Sequence, residues 1–214
     1  MKAVDVGEKL QEYLDGLVPP RDPVLARLEE EAHRENIPIV DAHEGALLYL
    51  LVKIARAKRI LELGTATGYS GLWLLRGTGD GTLTTFEVDH KRAERARANF
   101  AEAGYGKRAQ VVEENAVSGL EKVDARFDAC FIDLLNAFRS EDITRRAAEL
   151  CLDRLDPGGL LMADNALRDG EVLEPKSQQA KNVVFYNEWV AKHPRLESVV
   201  LPIRDGLSVA RVRD

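Results

Sequence analysis

The chain has 214 residues, of which 45% are hydrophobic and 31% charged, and its formal net charge is −6. This composition predicts a single globular domain over residues 1–214 with a sizeable core. The acidic balance excludes the broad basic field that non-specific nucleic-acid binding needs. The sequence has no apolar run of transmembrane length and no apolar core of a secretory signal near its N-terminus, which favours a cytoplasmic location.

The cysteines, the histidines and the basic segment of this sequence do not indicate a functional site. Cys130 and Cys151 lie in apolar surroundings and are too few for a disulfide framework, so we expect reduced, buried thiols. The basic residues of Lys91–Arg97 alternate with Glu94, as is typical of a solvated helix face. Scattered positions favour solvated side chains for the four histidines, which are His33, His43, His90 and His193.

The N-terminal part is predicted to be helical and polar over the first forty-five residues, with interruptions at Pro19-Pro20 and Pro38. Asp22-Pro23 predicts a helix start, with Asp22 as the N-cap, and this helix runs to about His33. Asp41–Ala57 predicts a second helix, because its apolar residues recur at helical spacing. We expect residues 1–57 to cover the functional site.

From residue 59 onward, predicted strands and helices alternate. The predicted strands are Arg59–Leu63, Thr82–Glu87, Ala109–Glu113, Phe127–Asp133 and Leu160–Asp164. One predicted helix begins at Tyr69, and three others cover Asp89–Ala103, Glu141–Leu155 and Ser177–Lys192. Leu196–Ile203 and Leu207–Val212 predict a closing hairpin. The alternation predicts an α/β fold with a doubly wound, mostly parallel seven-stranded sheet, a C-terminal antiparallel hairpin and extra N-terminal helices.

The segment Arg59–Gly71, RILELGTATGYSG, predicts a buried strand, a glycine loop and a helix in succession. Gly64 and Gly68 bracket the loop, where backbone N–H groups can approach a ligand without obstruction by a Cβ atom. Their spacing differs from the G-x-G-x-x-G of a dinucleotide pyrophosphate site. The loop therefore predicts a nucleotide-like cofactor without a pyrophosphate.

Ligands of such sheets bind at the carboxyl ends of the strands. The residues at the predicted strand ends are acidic, amide or glycine: Glu62–Gly64, Glu87, Glu113–Ala116, Asp133 and Asp164-Asn165. Glu87 is placed to accept hydrogen bonds from ribose hydroxyls. Asp89 is the alternative for that role, and Glu87 would then be a solvated turn residue.

Asp133, Asp164 and Asn165 end two predicted strands that we expect to be neighbours. Two carboxylates and an amide oxygen suit a hard divalent cation such as Mg²⁺. The pair Asp164-Asn165 could instead hydrogen-bond within a turn. Spacing alone leaves both interpretations open.

Six segments, taken together and in this order, resemble the cation-dependent S-adenosylmethionine (SAM) O-methyltransferases. That family includes the plant caffeoyl-CoA enzymes, the animal catechol enzyme and small bacterial relatives. The segments are Glu44-Gly45 within the helix from Asp41, LELGTATGYSGLWL, TLTTFEVD, FDACFID, LDPGGLLMADNALRDG and LPIRDGLSVAR. The resemblance covers nearly the whole chain and implies a Rossmann-like fold, SAM as the cofactor and a homodimer.

The resemblance also implies roles by position. The implied cofactor-pocket residues are Val40, Glu62, Gly64, Tyr69, Ser70, Glu87, Asn115, Ala116 and Asp133. The implied metal ligands are Asp133, Asp164 and Asn165, with Mg²⁺ as the expected cation and Mn²⁺ or Ca²⁺ as alternatives. The implied acceptor is a small hydroxylated aromatic of the catechol type.

One departure from the family bears on catalysis. The family usually has a lysine three residues after the first metal aspartate, whereas this chain has Asp133-Leu134-Leu135-Asn136. Asn136 cannot act as a base, and losing a general base costs roughly 10²–10⁴ in rate. We therefore expect the mechanism to depend on the metal, with Asp133 and Asn136 as the catalytic candidates and Asn136 as a hydrogen-bonding group for the acceptor.

Three other functions compete with this prediction. Some bacterial relatives methylate a hydroxylated wobble uridine in tRNA, although the net charge of −6 weighs against a tRNA substrate. The loss of the lysine is also compatible with a cofactor-binding protein that does not catalyse. An NAD-dependent dehydrogenase is disfavoured by the glycine spacing and by the closing hairpin.

Overall fold

The sheet has seven strands within residues 7–214, the part of the chain that the computed structural model describes. The strands are β1 Arg59–Leu63, β2 Thr82–Glu87, β3 Ala109–Glu113, β4 Phe127–Ile132, β5 Leu155–Ala163, β6 Leu196–Leu201 and β7 Leu207–Val212. Their order is β3-β2-β1-β4-β5-β7-β6. Strands β1 to β5 are parallel, and β7 runs antiparallel to both β5 and β6. The predicted mostly parallel sheet with a closing antiparallel hairpin is confirmed.

Helices cover both faces of this sheet. They are α1 Glu8–Asp15, α2 Pro23–Glu35, α3 Ala42–Ile54, α4 Tyr69–Gly77, α5 His90–Glu102, α6 Ala116–Glu121, α7 Glu141–Arg154 and α8 Gln178–Lys192, with a 3-10 segment at Arg168–Leu173. Aspartate side chains cap three of them: Asp22 accepts from Leu25 N in α2, Asp41 from Glu44 N in α3 and Asp89 from Arg92 N in α5. The first six residues, which fall in the predicted N-terminal helical region, lie outside the described residues.

Several element bounds differ from the sequence-based expectation. The helix predicted to reach Ala57 ends at Ile54, because Arg56 adopts a left-handed backbone conformation with φ of 55°. Strand β5 begins at Leu155 rather than Leu160 and continues through the turn-like segment 156–159, with a register shift in its pairing with β4. Strand β6 ends at Leu201, before Pro202, which has no N–H to donate to a sheet. The six-residue α6 was not predicted, since so short a helix leaves no periodic pattern.

Two apolar layers, one on each face of the sheet, form the core. Leu61, Ile132 and Leu161 belong to one layer, which packs against residues of α6, α7 and α8. The other layer contains Ile60 and Phe131 and packs against residues of α2 to α5. The alternation of faces along the strands explains why the strands read as continuous apolar runs.

Cys130 and Cys151 lie in the first of these layers as buried, free thiols, which confirms the prediction for them. Burial raises the pKa of the Cys130 thiol well above its ordinary value. Of the helices in the described part of the chain, none has the length and apolarity needed to cross a membrane.

Candidate active site

The glycine loop between β1 and α4 packs closely against the ends of its neighbouring strands. Gly64 and Thr65 both donate their N–H groups to the carbonyl oxygen of Phe86, at 3.2 and 3.1 Å. Gly64 has a φ of +103°, and a Cβ atom there would lie 2.8 Å from the Asp133 carbonyl oxygen at the end of β4. Only glycine combines this conformation with so close an approach.

Two adjoining clefts open at the carboxyl edge of the sheet. The first cleft has a volume of about 350 Å³ and the second about 400 Å³. Glu87, Leu134 and Ala137 line both. The first cleft is also lined by Pro38, Ile39, Gly64, Ala66, Arg92, Asp133, Asn136, Asp164, Asn165 and Arg204. An elongated ligand can therefore run from one cleft to the other past Glu87.

Glu87 is held rigidly at the junction of the two clefts. Its Oε2 accepts a hydrogen bond from Ala66 N and its Oε1 accepts one from Asp89 N, each at 2.9 Å. A carboxylate oxygen can accept a second hydrogen bond, so both oxygens keep capacity for ligand hydroxyls. Asp89, the alternative ribose partner, instead caps α5 through its Oδ1.

Glu62 lies in the interior behind the glycine loop. It accepts hydrogen bonds from Ser70 Oγ and from Thr85 Oγ1, each at 2.6 Å. Burial raises the pKa of Glu62 to about 7, against the lowering effect of the two hydroxyl donors. Glu62 thus positions Ser70 in the first turn of α4. Thr85, which sequence reasoning missed, pairs directly with Glu62 in the β1–β2 register.

The other implied cofactor residues lie around the clefts in different ways. Asn115 and Ala116 both line the second cleft, where Asn115 caps α6 by accepting from Val117 N and Ser118 N. Val40 is buried beside Ile39 and lines a separate surface pocket next to α2. Tyr69 is also buried, and its hydroxyl donates to Glu29 Oε1 at 2.7 Å. Direct contact of Val40 and Tyr69 with a cofactor stays a prediction.

The three implied metal ligands, Asp133, Asp164 and Asn165, all line the first cleft. Asp164 Oδ1 accepts from its neighbour's backbone N–H at 2.5 Å, and its Oδ2 accepts from Arg204 at 2.6 Å. Asn165 donates its amide Nδ2 to Asp205 Oδ2 at 3.0 Å. The turn interactions expected from the alternative interpretation are therefore present, and the same residues still face a common cleft.

Three carboxyl groups lie close together around this part of the cleft. Burial, followed by the charge of Asp164, raises the pKa of Asp133 to about 8 and that of Glu44 to about 10. Burial also raises the pKa of Asp164, although Arg204 opposes that shift. Three carboxyl groups thus share one guanidinium group.

The donor set of the predicted site fits a hard cation. Two carboxylates and an amide oxygen are ligands of the kind that Mg²⁺ takes, with water or substrate completing its shell. Between residues 7 and 214, no group of three or more His, Cys, Asp and Glu side chains is arranged to hold a metal ion. The predicted set has two carboxylates and one amide, so water or substrate would supply the remaining ligands.

Asn136 lies beside Asp133 in the first cleft, at the position of the missing lysine. Its Oδ1 atom is buried and has no hydrogen-bond partner among the described residues. A buried, unpaired amide oxygen is costly unless a donor reaches it. A hydroxyl group bound in the first cleft could supply that donor.

Comparison with known proteins shows the family to which this chain belongs. An O-methyltransferase family model matches residues 19–213. This chain belongs to the O-methyltransferase family. A probable O-methyltransferase of Mycobacterium tuberculosis is 33% identical over 213 residues, which is 97% of this chain and 92% of that protein. The prediction of an O-methyltransferase is therefore confirmed.

Solved O-methyltransferases share both the fold and moderate sequence identity. The Bacillus cereus O-methyltransferase, solved in complex with SAH, has a TM-score of 0.84 and 29% identity, covering 96% of this chain and 97% of that one. TomG from Streptomyces achromogenes, involved in tomaymycin synthesis and solved in complex with SAM, has a TM-score of 0.84 and 28% identity, covering 96% of each chain. These neighbours support the Rossmann-like fold.

Besides Thr85, sequence reasoning did not single out Arg204 and Glu44. Arg204 lines the first cleft and binds Asp164, and the buried Glu44 lies 3.5 Å from the same guanidinium group. Both occur in segments that carry the family resemblance, EG and LPIRDG. Their partnership joins parts of the chain 160 residues apart, and no local pattern shows it.

Proposed function

We propose that this O-methyltransferase transfers the methyl group of SAM to a hydroxyl of a small, catechol-like aromatic, with assistance from a divalent cation. The observation that carries the proposal is the first cleft itself. It brings Asp133, Asp164, Asn165 and the unpaired amide oxygen of Asn136 to one end of a channel that passes Glu87. The relatives solved with SAM or SAH support the choice of methyl donor.

The two clefts suit different parts of the SAM molecule. The second cleft, with Ala116, Phe138 and Ile143 among its lining, offers apolar surface to the adenine ring. Glu87 then accepts hydrogen bonds from the ribose hydroxyls at the junction. The methionine half lies along the loop from Gly64 to Gly68, next to the first cleft.

Asp133, Asp164 and Asn165 would hold the cation, which we propose to be Mg²⁺, with Mn²⁺ or Ca²⁺ as alternatives. When bound, such a cation stabilises the oxyanion of an acceptor hydroxyl and lowers its pKa from the value of about 10 that is usual for a phenol. The protein orients the second hydroxyl through Asn136 and aligns the attacking oxygen with the sulfonium methyl group. Positioning of this kind supplies a large part of the rate enhancement.

Methyl transfer to a catechol, followed with purified protein and SAM, tests the proposal. Activity should require added Mg²⁺, disappear in excess EDTA and return when the metal is restored. D133N should reduce turnover by roughly 10²-fold or more, because it removes one of the two carboxylates that would hold the cation. D124N changes an exposed aspartate in the same way and should leave turnover unchanged. Undiminished turnover in EDTA would exclude the metal role.

The same preparation separates the competing functions. SAM binding without transfer to any catechol would favour the non-catalytic alternative, which is based on Asn136 in place of the lysine. Salt-dependent binding of tRNA would favour the tRNA alternative.

Homodimer formation and a cytoplasmic location, both expected from the sequence, stay proposals. Light scattering after size-exclusion chromatography tests the first of them, since a dimer has twice the mass of 23.8 kDa for one chain.

A further inference from the structure

Arg204 occupies an unusual place in the turn between β6 and β7. Its backbone is left-handed, with a φ of +48°, and its side chain reaches the first cleft. One guanidinium nitrogen donates to Asp164 Oδ2 at 2.6 Å, and the other donates to the Ile39 carbonyl oxygen at 3.2 Å. The arginine thus pairs with a proposed metal ligand from within the acceptor cleft.

Glu44 offers this arginine a second partner. The Glu44 side chain is fully buried in the first turn of α3, and neither of its oxygens has a hydrogen-bond partner among the described residues. Its Oε2 lies 3.5 Å from the guanidinium nitrogen that binds Asp164. A charge-assisted hydrogen bond needs about 2.7–2.9 Å, so a movement of well under 1 Å would exchange one carboxylate for the other.

We propose that Arg204 is a two-position counter-ion that competes with a divalent cation for Asp164 and moves to Glu44 when the cation binds. This inference rests on the cation site of the proposed function. A dication at Asp164 repels the adjacent guanidinium, and Glu44 receives it, so that Asp164 has a positive partner in both states. Arg204 therefore weakens cation binding, and Glu44 partly restores it.

Loss of the Arg204 side chain and loss of the Glu44 carboxyl group should change the cation affinity in opposite directions. R204M leaves Asp164 without its competitor and should tighten Mn²⁺ binding by about tenfold or more, as expected for loss of one charge-assisted hydrogen bond. E44Q takes away the carboxyl group that receives the displaced arginine and should weaken Mn²⁺ binding. In the R204M background, E44Q should lose most of that effect, because no arginine remains to be received.

Titration of the full-length chain with Mn²⁺, followed by electron paramagnetic resonance and calorimetry, measures these affinities without relying on turnover. R56M is the matched control, because Arg56 is exposed before the start of β1, at the edge of the sheet opposite the clefts, and its loss changes the net charge equally. Its Mn²⁺ affinity should stay within about twofold of the wild type, since an exposed charge is largely screened. SAH binding by each variant reports that the fold is intact.

Each outcome decides the inference. Tighter binding by R204M, together with an unchanged affinity of R56M, supports the competition. Equal affinities of wild type and R204M would overturn it and leave the cation site standing, whereas no Mn²⁺ binding by either would remove the cation site as well. If R204M does not fold, R204Q replaces it: glutamine removes the charge and keeps an amide that can donate to Asp164. An R204Q affinity equal to that of the wild type would then overturn the inference.

Discussion

Glu62 should make the stability of this protein depend on pH in a specific way. Its pKa is raised by burial from an ordinary value of 4.5 to about 7. The folded protein then holds the Glu62 proton to a higher pH than the unfolded chain does. Stability from this group is fully present below pH 4.5 and is lost as the pH rises through about 7.

The size of the effect follows from the shift. A rise from 4.5 to about 7 corresponds to roughly 3 kcal/mol over the whole range, at about 1.4 kcal/mol for each pKa unit, and to somewhat less between pH 5 and pH 8. Glutamine in E62Q does not titrate, so this variant should not lose that stability. Its amide can still accept a hydrogen bond from Ser70 or Thr85, which keeps the local structure close to that of the wild type.

Urea unfolding of wild type and E62Q at pH 5 and pH 8 tests the reasoning. The free energy of unfolding of E62Q relative to wild type should increase by about 2 kcal/mol or more between the two pH values. E197Q, an equivalent change on the exposed edge strand β6, controls for the loss of one carboxylate. A difference between E62Q and wild type that is the same at both pH values would refute a raised pKa at Glu62.

Three further changes test other parts of the structure. E87A should weaken SAM binding by roughly 10- to 100-fold in calorimetry, because a charged hydrogen-bond partner is lost. D89A should mainly lower the stability of the protein, because it removes the N-cap of α5. The reverse pattern would assign the ribose to Asp89. G64A should lower the free energy of unfolding more than G104A does. Gly104 also has a positive φ, but nothing lies within 4 Å of a Cβ atom added there. Equal losses would argue against the close contact of Gly64 with Asp133. L61A should destabilise the fold by about 2–5 kcal/mol in urea, since Leu61 is fully buried in one core layer.

Local sequence patterns predicted much of the fold because the forces behind them are local. Strands β1, β2 and β3 have the predicted bounds, since apolar runs are bounded by turn residues. The helix starts at Asp22 and Asp41 also follow from short-range capping, in which a side chain meets N–H groups three residues away. The start of β5 was wrong because pairing with β4 holds a turn-like segment in the sheet.

The sequence by itself determined the order of the elements, the glycine loop and the carboxylates at the strand ends. Each of these depends on neighbouring residues and on the general rule that parallel strands present their carboxyl ends at one edge. These residues indicated a nucleotide-like cofactor without a pyrophosphate, and the resemblance of six segments to a known family indicated a SAM-dependent O-methyltransferase. The predicted roles of the individual site residues stay predictions.

Only the tertiary structure decided how the charges of the site are shared. The contacts of Glu62 with Thr85, and of Arg204 with Asp164 and Glu44, join residues from different elements. Their energies depend on burial and on distances of a few tenths of an ångström, which the packing of β1, β5, α3 and the β6–β7 turn sets together. No short-range pattern encodes such distances, and for this reason the counter-ion at the proposed metal site became visible only in the folded chain.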